Sequence, residues 1–201
     1  MFWNNIAGVY DIFVKVINRR THNELKGIVG KYIDSRDNVL ECAAGTGMLS
    51  AVIAERCSTL VATDFAPKMI KRAEKNCSSY TNITFEYANI MSLKYPDDCF
   101  DKVIAGNVIH LLDEPLKALA ELNRVCKPGG LLIIPTYMNR DKHDKKSTLT
   151  ESVGKAGADF KQYFNVVSYI DFFKTAGYED VKVELADGRI PCAVATMTKL
   201  I

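Results

Sequence analysis

The stretch Val39-Leu40-Glu41-Cys42-Ala43-Ala44-Gly45-Thr46-Gly47-Met48-Leu49-Ser50 decides the fold. Val39 to Cys42 reads as a strand, Ala43 to Gly47 as a turn of very small residues, and Met48 to about Arg56 as a helix. Small residues let a backbone approach a ligand closely, and a helix start offers unpaired N–H groups. Glu41, at the strand end, suits a cationic amino group better than a pyrophosphate. A tight strand-to-helix turn also occurs for purely structural reasons, so its meaning depends on what flanks it.

Downstream, Leu60 to Thr63 forms a second strand that ends at Asp64. Pro67 follows where a first helical turn tolerates proline, and Met69, Ile70 and Ala73 share one face of a helix reaching about Asn76. Asp64 stands close to the ~20-residue offset at which a strand-end carboxylate reaches ribose hydroxyls. A carboxylate accepts two hydrogen bonds at once, as a vicinal diol requires; the same aspartate also suits as N-cap of the helix near Pro67.

A third strand spans Ile83 to Tyr87, and Pro96-Asp97-Asp98 turns the chain into a fourth, Phe100 to Ala105. Asp113 reads as an N-cap, with Pro115 in the first turn of a helix to Val125. Lys127-Pro128-Gly129-Gly130 stops that helix before the buried strand Leu131 to Ile134. Residues 138–165 break the pattern and read as a lid or insert. A helix from about Val167 to Ala176 ends at Gly177. Val181 to Leu185 and Ala193 to Lys199, joined through Asp187-Gly188, read as an antiparallel hairpin. The expected fold is therefore α/β: seven strands, mostly parallel with an antiparallel last strand, and helices on both faces. A plain dinucleotide-binding domain does not normally end that way.

At 201 residues the chain has room for one domain with a sizeable core, residues 1–35 serving as N-terminal cap helices. A net charge of +2 gives no basic field suited to nucleic acid. No apolar run approaches the ~20 residues of a membrane span, and Met1 to Tyr10 lacks the basic start of a secretory signal. Cysteines at positions 42, 57, 77, 99, 126 and 192 form no CxxC pair. They read as unpaired thiols in a reducing cytoplasm, with no metal site.

The stretch from Val39 to Pro135 resembles the class I S-adenosylmethionine-dependent methyltransferases, especially the quinone-biosynthesis C-methyltransferases and their small-molecule relatives. The turn matches, with Ala43 in the first glycine's place and Glu41 for the usual aspartate. Ala88-Asn89-Ile90 and Leu93 to Asp101 resemble the linker into the fourth strand. Asn107 to Asp113 and Arg124 to Gly130 follow in the family's order, and Ile6 to Asp11 resembles the helix covering the cofactor.

The resemblance implies roles residue by residue. Glu41 and the backbone of Ala43, Gly45 and Gly47 would hold the methionine end of S-adenosylmethionine, with Tyr10 approaching its carboxylate. Asp64 would take the ribose hydroxyls, with Phe65 and Met69 lining the adenine slot. Asn89, where the family often has aspartate, would meet the adenine amino group and the Ile90 N–H a ring nitrogen. Asn107 would contact the methionine portion through its backbone. The product would be S-adenosylhomocysteine. The acceptor would be a hydrophobic or aromatic small molecule, since no further binding domain is present; oligomeric state is left open.

A sulfonium methyl is already electrophilic, so alignment and water exclusion carry most of the chemistry. A carbon or phenol acceptor calls for a base, and His110, just past the fourth strand, is the first candidate, expected to titrate near 5.5–7.5; a core or capping role is its alternative. Tyr137, ending the fifth strand, is the second. His143 stands among Arg140, Lys142, Lys145 and Lys146, a solvated loop or an attractor for an anionic acceptor, and His22 reads as surface. Two rivals stand beside the enzyme: a non-catalytic S-adenosylmethionine-binding module, and an NAD(P)-dependent oxidoreductase. Ser50, where a glycine or alanine should pack helix on strand, argues against the latter.

Overall fold

In this computed structural model, residues 18–138 and 160–200 are described. Seven strands form one sheet: β1 (Asn38–Cys42), β2 (Thr59–Asp64), β3 (Ile83–Tyr87), β4 (Phe100–Ala105), β5 (Cys126–Tyr137), β6 (Lys182–Ala186) and β7 (Cys192–Thr198). Their spatial order is β3-β2-β1-β4-β5-β7-β6. The first five pair in parallel, and β7 runs antiparallel to both β5 and β6. The antiparallel last strand is therefore observed as expected.

Among the described residues five helices, α1 (Arg19–Gly30), α2 (Met48–Ala54), α3 (Pro67–Asn76), α4 (Pro115–Val125) and α5 (Val166–Thr175), accompany the sheet. Alternation along the strands sends neighbours into two cores. Leu40, Val103, Leu132 and Ile134 pack with Leu119 and Leu122 of α4 and Tyr169 and Phe173 of α5. Val39, Ile104, Ile133 and Val194 pack with Leu25 and Val29 of α1 and Leu49 and Ile53 of α2. Each fully buried aliphatic side chain contributes about 1.5–3 kcal/mol, so both faces hold the sheet between helices. β1 has β2 on one side and β4 on the other. The winding reverses there, which opens a crevice at the carboxyl ends of β1 and β4.

Several details depart from the sequence reading. Glu114, not Asp113, precedes α4, and it makes no side-chain capping bond; Pro115 starts the helix instead. The Lys127–Gly130 segment belongs to β5, where a register shift opposite Phe100 and Lys102 absorbs it. Gly130 is required there, because a Cβ would lie 2.8 Å from the Asp101 carbonyl oxygen. α2 ends at Ala54, and α5 begins one residue early, with Asn165 and Ser168 bonding reciprocally across its first turn. His22 is buried rather than on the surface: α1 turns it inward, and its Nε2 lies 2.6 Å from the Tyr137 hydroxyl. All six cysteines are unpaired. Of the expected cap, α1 packs against α2, β6 and β7, while residues 1–17 lie outside the described residues. So do 139–159 of the expected lid, with His143 and its basic neighbours.

Candidate functional site

The small-residue turn after β1 takes backbone angles that favour glycine. Ala43, Gly45 and Gly47 have φ of 57°, 58° and 86°. It is clasped from two sides. The Ala44 N–H donates to the Thr63 carbonyl (2.9 Å) and the Gly45 N–H to Asp64 Oδ2 (2.9 Å). From α3, Asn76 Nδ2 donates to the Thr46 carbonyl (2.8 Å). A Cβ on Gly47 would lie 2.9 Å from Cys77 Sγ, so the turn sits flush on that helix.

Above the turn lies a cleft of about 350 Å³, within the range of small-molecule sites. It is lined by Ala43, Gly45, Asp64, Phe65, Met69, Asn89, Ile90 and Asn107, eight residues picked out from sequence. Glu41 lines an adjoining recess of about 40 Å³, shared with Ala43, Gly45 and Asn107. Gly47 lines neither space and shapes the turn from behind. Tyr10 falls outside the described residues. The lining also takes in Ala88, Gly106, Val108, Leu111 and Leu112, to which the sequence reading gave no role. The signal for the last three was available: a short 3₁₀ turn at Ile109–Leu111 brings apolar residues just past a strand end to the crevice.

Two carboxyl groups define the electrostatics. Glu41 is 2% exposed, and burial pushes it up to about 8, against a 2.5 Å bond donated by the Ser50 hydroxyl. Asp64 is raised by burial too, opposed by N–H groups of Ala66 and Gly45 at 2.8 and 2.9 Å. It bonds the chain entering α3, but the N-cap position belongs to Ala66. Among the described residues no lysine, arginine or histidine bonds to either carboxylate. A buried and a half-buried acid bonded to no cation among the described residues favour a ligand that brings positive charge and hydroxyl donors.

The remaining contacts refine the expected roles. Phe65 is 46% exposed, its ring 5.3 Å from that of Tyr87. Asn89 Oδ1 accepts from the Met91 N–H (3.0 Å), so its amide oxygen also closes a local turn. Asn107 is left-handed (φ 53°), and its N–H already donates to the Pro135 carbonyl (2.8 Å). Its backbone contact with a ligand is therefore left to the carbonyl.

His110 is 3% exposed, stacked on Phe160 (5.1 Å between centroids) and edge-on to Tyr137 (6.4 Å). Its Nδ1 has no hydrogen-bond partner, and burial pushes the imidazole down to about 4. That moves it below the 5.5–7.5 window expected from sequence, because no charged group offsets the lost hydration. Its carbonyl accepts from the N–H groups of Lys161 and Gln162 (3.0 and 3.1 Å), tying the end of the 138–165 segment over this turn. Tyr137 is half-buried and hydroxyl-bonded to His22. No group of three or more metal-ligating side chains occurs among the described residues, nor is any described helix long and apolar enough to cross a membrane.

Compared with protein families, residues 40–134 match one described as a methyltransferase domain. A ubiquinone/menaquinone biosynthesis C-methyltransferase of Bdellovibrio bacteriovorus is 31% identical over 137 residues, 66% of this chain and 58% of that protein. A demethylmenaquinone methyltransferase of Renibacterium salmoninarum is 30% identical over 158 residues, 77% of this chain and 65% of that protein. The chain thus spans less than two thirds of the length of either relative. A solved Thermotoga maritima structure, described as an S-adenosylmethionine-dependent methyltransferase and possible histamine N-methyltransferase, matches with a TM-score of 0.78 over 99% of both chains. At 18% identity that likeness is one of fold.

Proposed function

We propose that the chain is a methyltransferase of the family that its residues 40–134 match, and that it binds S-adenosylmethionine and transfers the methyl group to a small-molecule acceptor. The observation that carries this reading is the pair of carboxyl groups at the ends of β1 and β2, Glu41 buried and Asp64 half-buried, neither bonded to a cation among the described residues. S-adenosylmethionine offers a cationic amino end, a ribose diol and a flat adenine, and the residues present fit each. Glu41, in the narrow recess with Ala43, Gly45 and the Asn107 carbonyl, takes the amino end. Asp64 keeps lone pairs for the diol beyond its two backbone bonds. Phe65 and Met69 flank the adenine slot, with Asn89 and Ile90 at its edge. A pyrophosphate brings no cation to the Glu41 recess, which disfavours the oxidoreductase alternative.

When bound, S-adenosylmethionine supplies an electrophilic methyl group. The chain aligns and excludes water. Val108, Leu111 and Leu112 give the cleft an apolar end that suits a hydrophobic or aromatic acceptor. His110 and Tyr137 are the groups we assign to the acceptor's proton. His110 lines neither the cleft nor the recess and stays neutral at physiological pH, so its action as a base requires the acceptor to reach its buried ring nitrogen. Six unpaired thiols support a reducing, cytoplasmic setting. Incubation with S-adenosylmethionine and a panel of quinols, phenols, amines and thiols should yield S-adenosylhomocysteine with at least one class. Tight binding of S-adenosylhomocysteine with no turnover on any class would favour the binding-module alternative.

A further inference from the structure

Among the described residues the Glu41 carboxyl has a single side-chain partner, the Ser50 hydroxyl of α2. Titratable groups face it from three elements: Cys42 on β1, Asp64 at the end of β2 and Cys77 after α3. β4 sets Ile104 beside it, and none of these residues carries positive charge. An ionised carboxylate in such a place is costly, whereas the neutral acid is tolerated. Burial accordingly holds Glu41 at about 8. A hydroxyl is the one small group that serves both forms: it donates to the carboxylate and accepts from the acid. Ser50, fully buried, supplies it.

We propose that Glu41 holds a proton while the recess is empty and releases it to solvent as a cationic amino group enters, with Ser50 as the positioning residue that keeps the carboxyl turned into the recess in both states. The inference rests on the S-adenosylmethionine reading, through the ammonium of its methionine end. The balance is one carboxylic acid and one ammonium before binding, one carboxylate–ammonium pair and one free proton after. Capture is then proton-linked, and affinity rises about tenfold from pH 6 to pH 7.

The test is calorimetric titration of S-adenosylhomocysteine into the full chain at pH 6.5, in two buffers of different ionisation heat. Close to one proton should be released per ligand bound. 5′-Methylthioadenosine, which carries the nucleoside without the amino-acid end, should release none. Glu41→Gln should bind S-adenosylhomocysteine more weakly, with no proton release and no pH dependence between 6 and 7. Ser50→Ala removes a bond favouring the ionised form, so the acid limb of affinity should move to higher pH; if Ser50 only packs, the melting temperature falls and the limb stays. Binding by the unmutated chain with no proton release and flat affinity from pH 6 to 8 would overturn the proposal alone. Proton release by 5′-methylthioadenosine would place the proton elsewhere and overturn it too. No binding of S-adenosylhomocysteine at any pH would instead overturn the S-adenosylmethionine reading beneath it.

Discussion

Truncating Asp64 to alanine removes a group with two separable jobs. Its oxygens accept from the Gly45 and Ala66 N–H groups, at 2.9 and 2.8 Å, bracing the turn after β1 to the start of α3. The side chain is half-buried, so water takes over both donors, and each lost bond costs about 1 kcal/mol rather than a full desolvation penalty. The fold should therefore lose about 2 kcal/mol, a fall of roughly 4–8 °C in melting temperature for a domain of this size. Loss of the charge-assisted pair to a ribose diol costs a further ~1.5–3 kcal/mol of binding, a weakening of about ten- to 150-fold. Urea denaturation reads the first quantity and calorimetric titration with S-adenosylhomocysteine the second. Asp64→Asn keeps the shape but must point an amide N–H₂ at one of two N–H donors, and should fall between the alanine variant and the native chain in stability. If Asp64→Ala loses stability while affinity stays within twofold, Asp64 is a brace and not a ligand residue, and the assignment fails.

Saturating S-adenosylhomocysteine at about 100 times its dissociation constant should add ~2.7 kcal/mol of stability, visible as a melting shift of several degrees, and NAD should add none. Gly47→Ala should cost about 2–3 kcal/mol, from its left-handed φ of 86° and a Cβ only 2.9 Å from Cys77 Sγ; adding Cys77→Ala should recover the steric part alone, by urea denaturation. His110→Ala should lower turnover at least tenfold with S-adenosylmethionine affinity within a few-fold, and the native rate should show no His110 limb between pH 5.5 and 7.5. Because the folded imidazole sits at about 4 and the unfolded one at 6.5, His110 contributes stability above pH 6.5 that is lost as pH falls toward 4. Glu41, raised to about 8, acts in the opposite sense, contributing stability below its unfolded value that is lost as pH rises toward 8. The readout is thus a difference: between pH 7 and 5, His110→Leu should lose about 2 kcal/mol less than the native chain in urea melts.

Strand and helix periodicity made the sheet legible from the sequence, since Leu132 and Ile134 must face one core and Ile133 the other. The turn after β1 was legible because small residues there have few other uses. His22 was not: a lone histidine on a polar helix gives no local sign of its bond to Tyr137, 115 positions away. Lys127-Pro128-Gly129-Gly130 carries helix-stop chemistry, yet the helix had already ended at Val125, and the glycine serves a close backbone approach to Asp101. The environment of His110 depends on Phe160, brought over it from beyond β5, so its depressed basicity has no local sequence signal either.

The position of β7 between β5 and β6 constrains the order in which the sheet can be completed during synthesis. β5 ends at Tyr137, but the strand that covers its edge from Leu131 to Tyr137 is made about 60 residues later, at Cys192–Thr198. At ~5–20 residues per second, a ribosome leaves that edge uncovered for roughly 3–12 seconds. During this time Leu132 and Ile134 present unpaired backbone groups beside apolar side chains, the arrangement most prone to pairing with another nascent chain. The same delay makes β5 the natural landing place for a chaperone, and slow codons between β5 and β7 would lengthen its exposure.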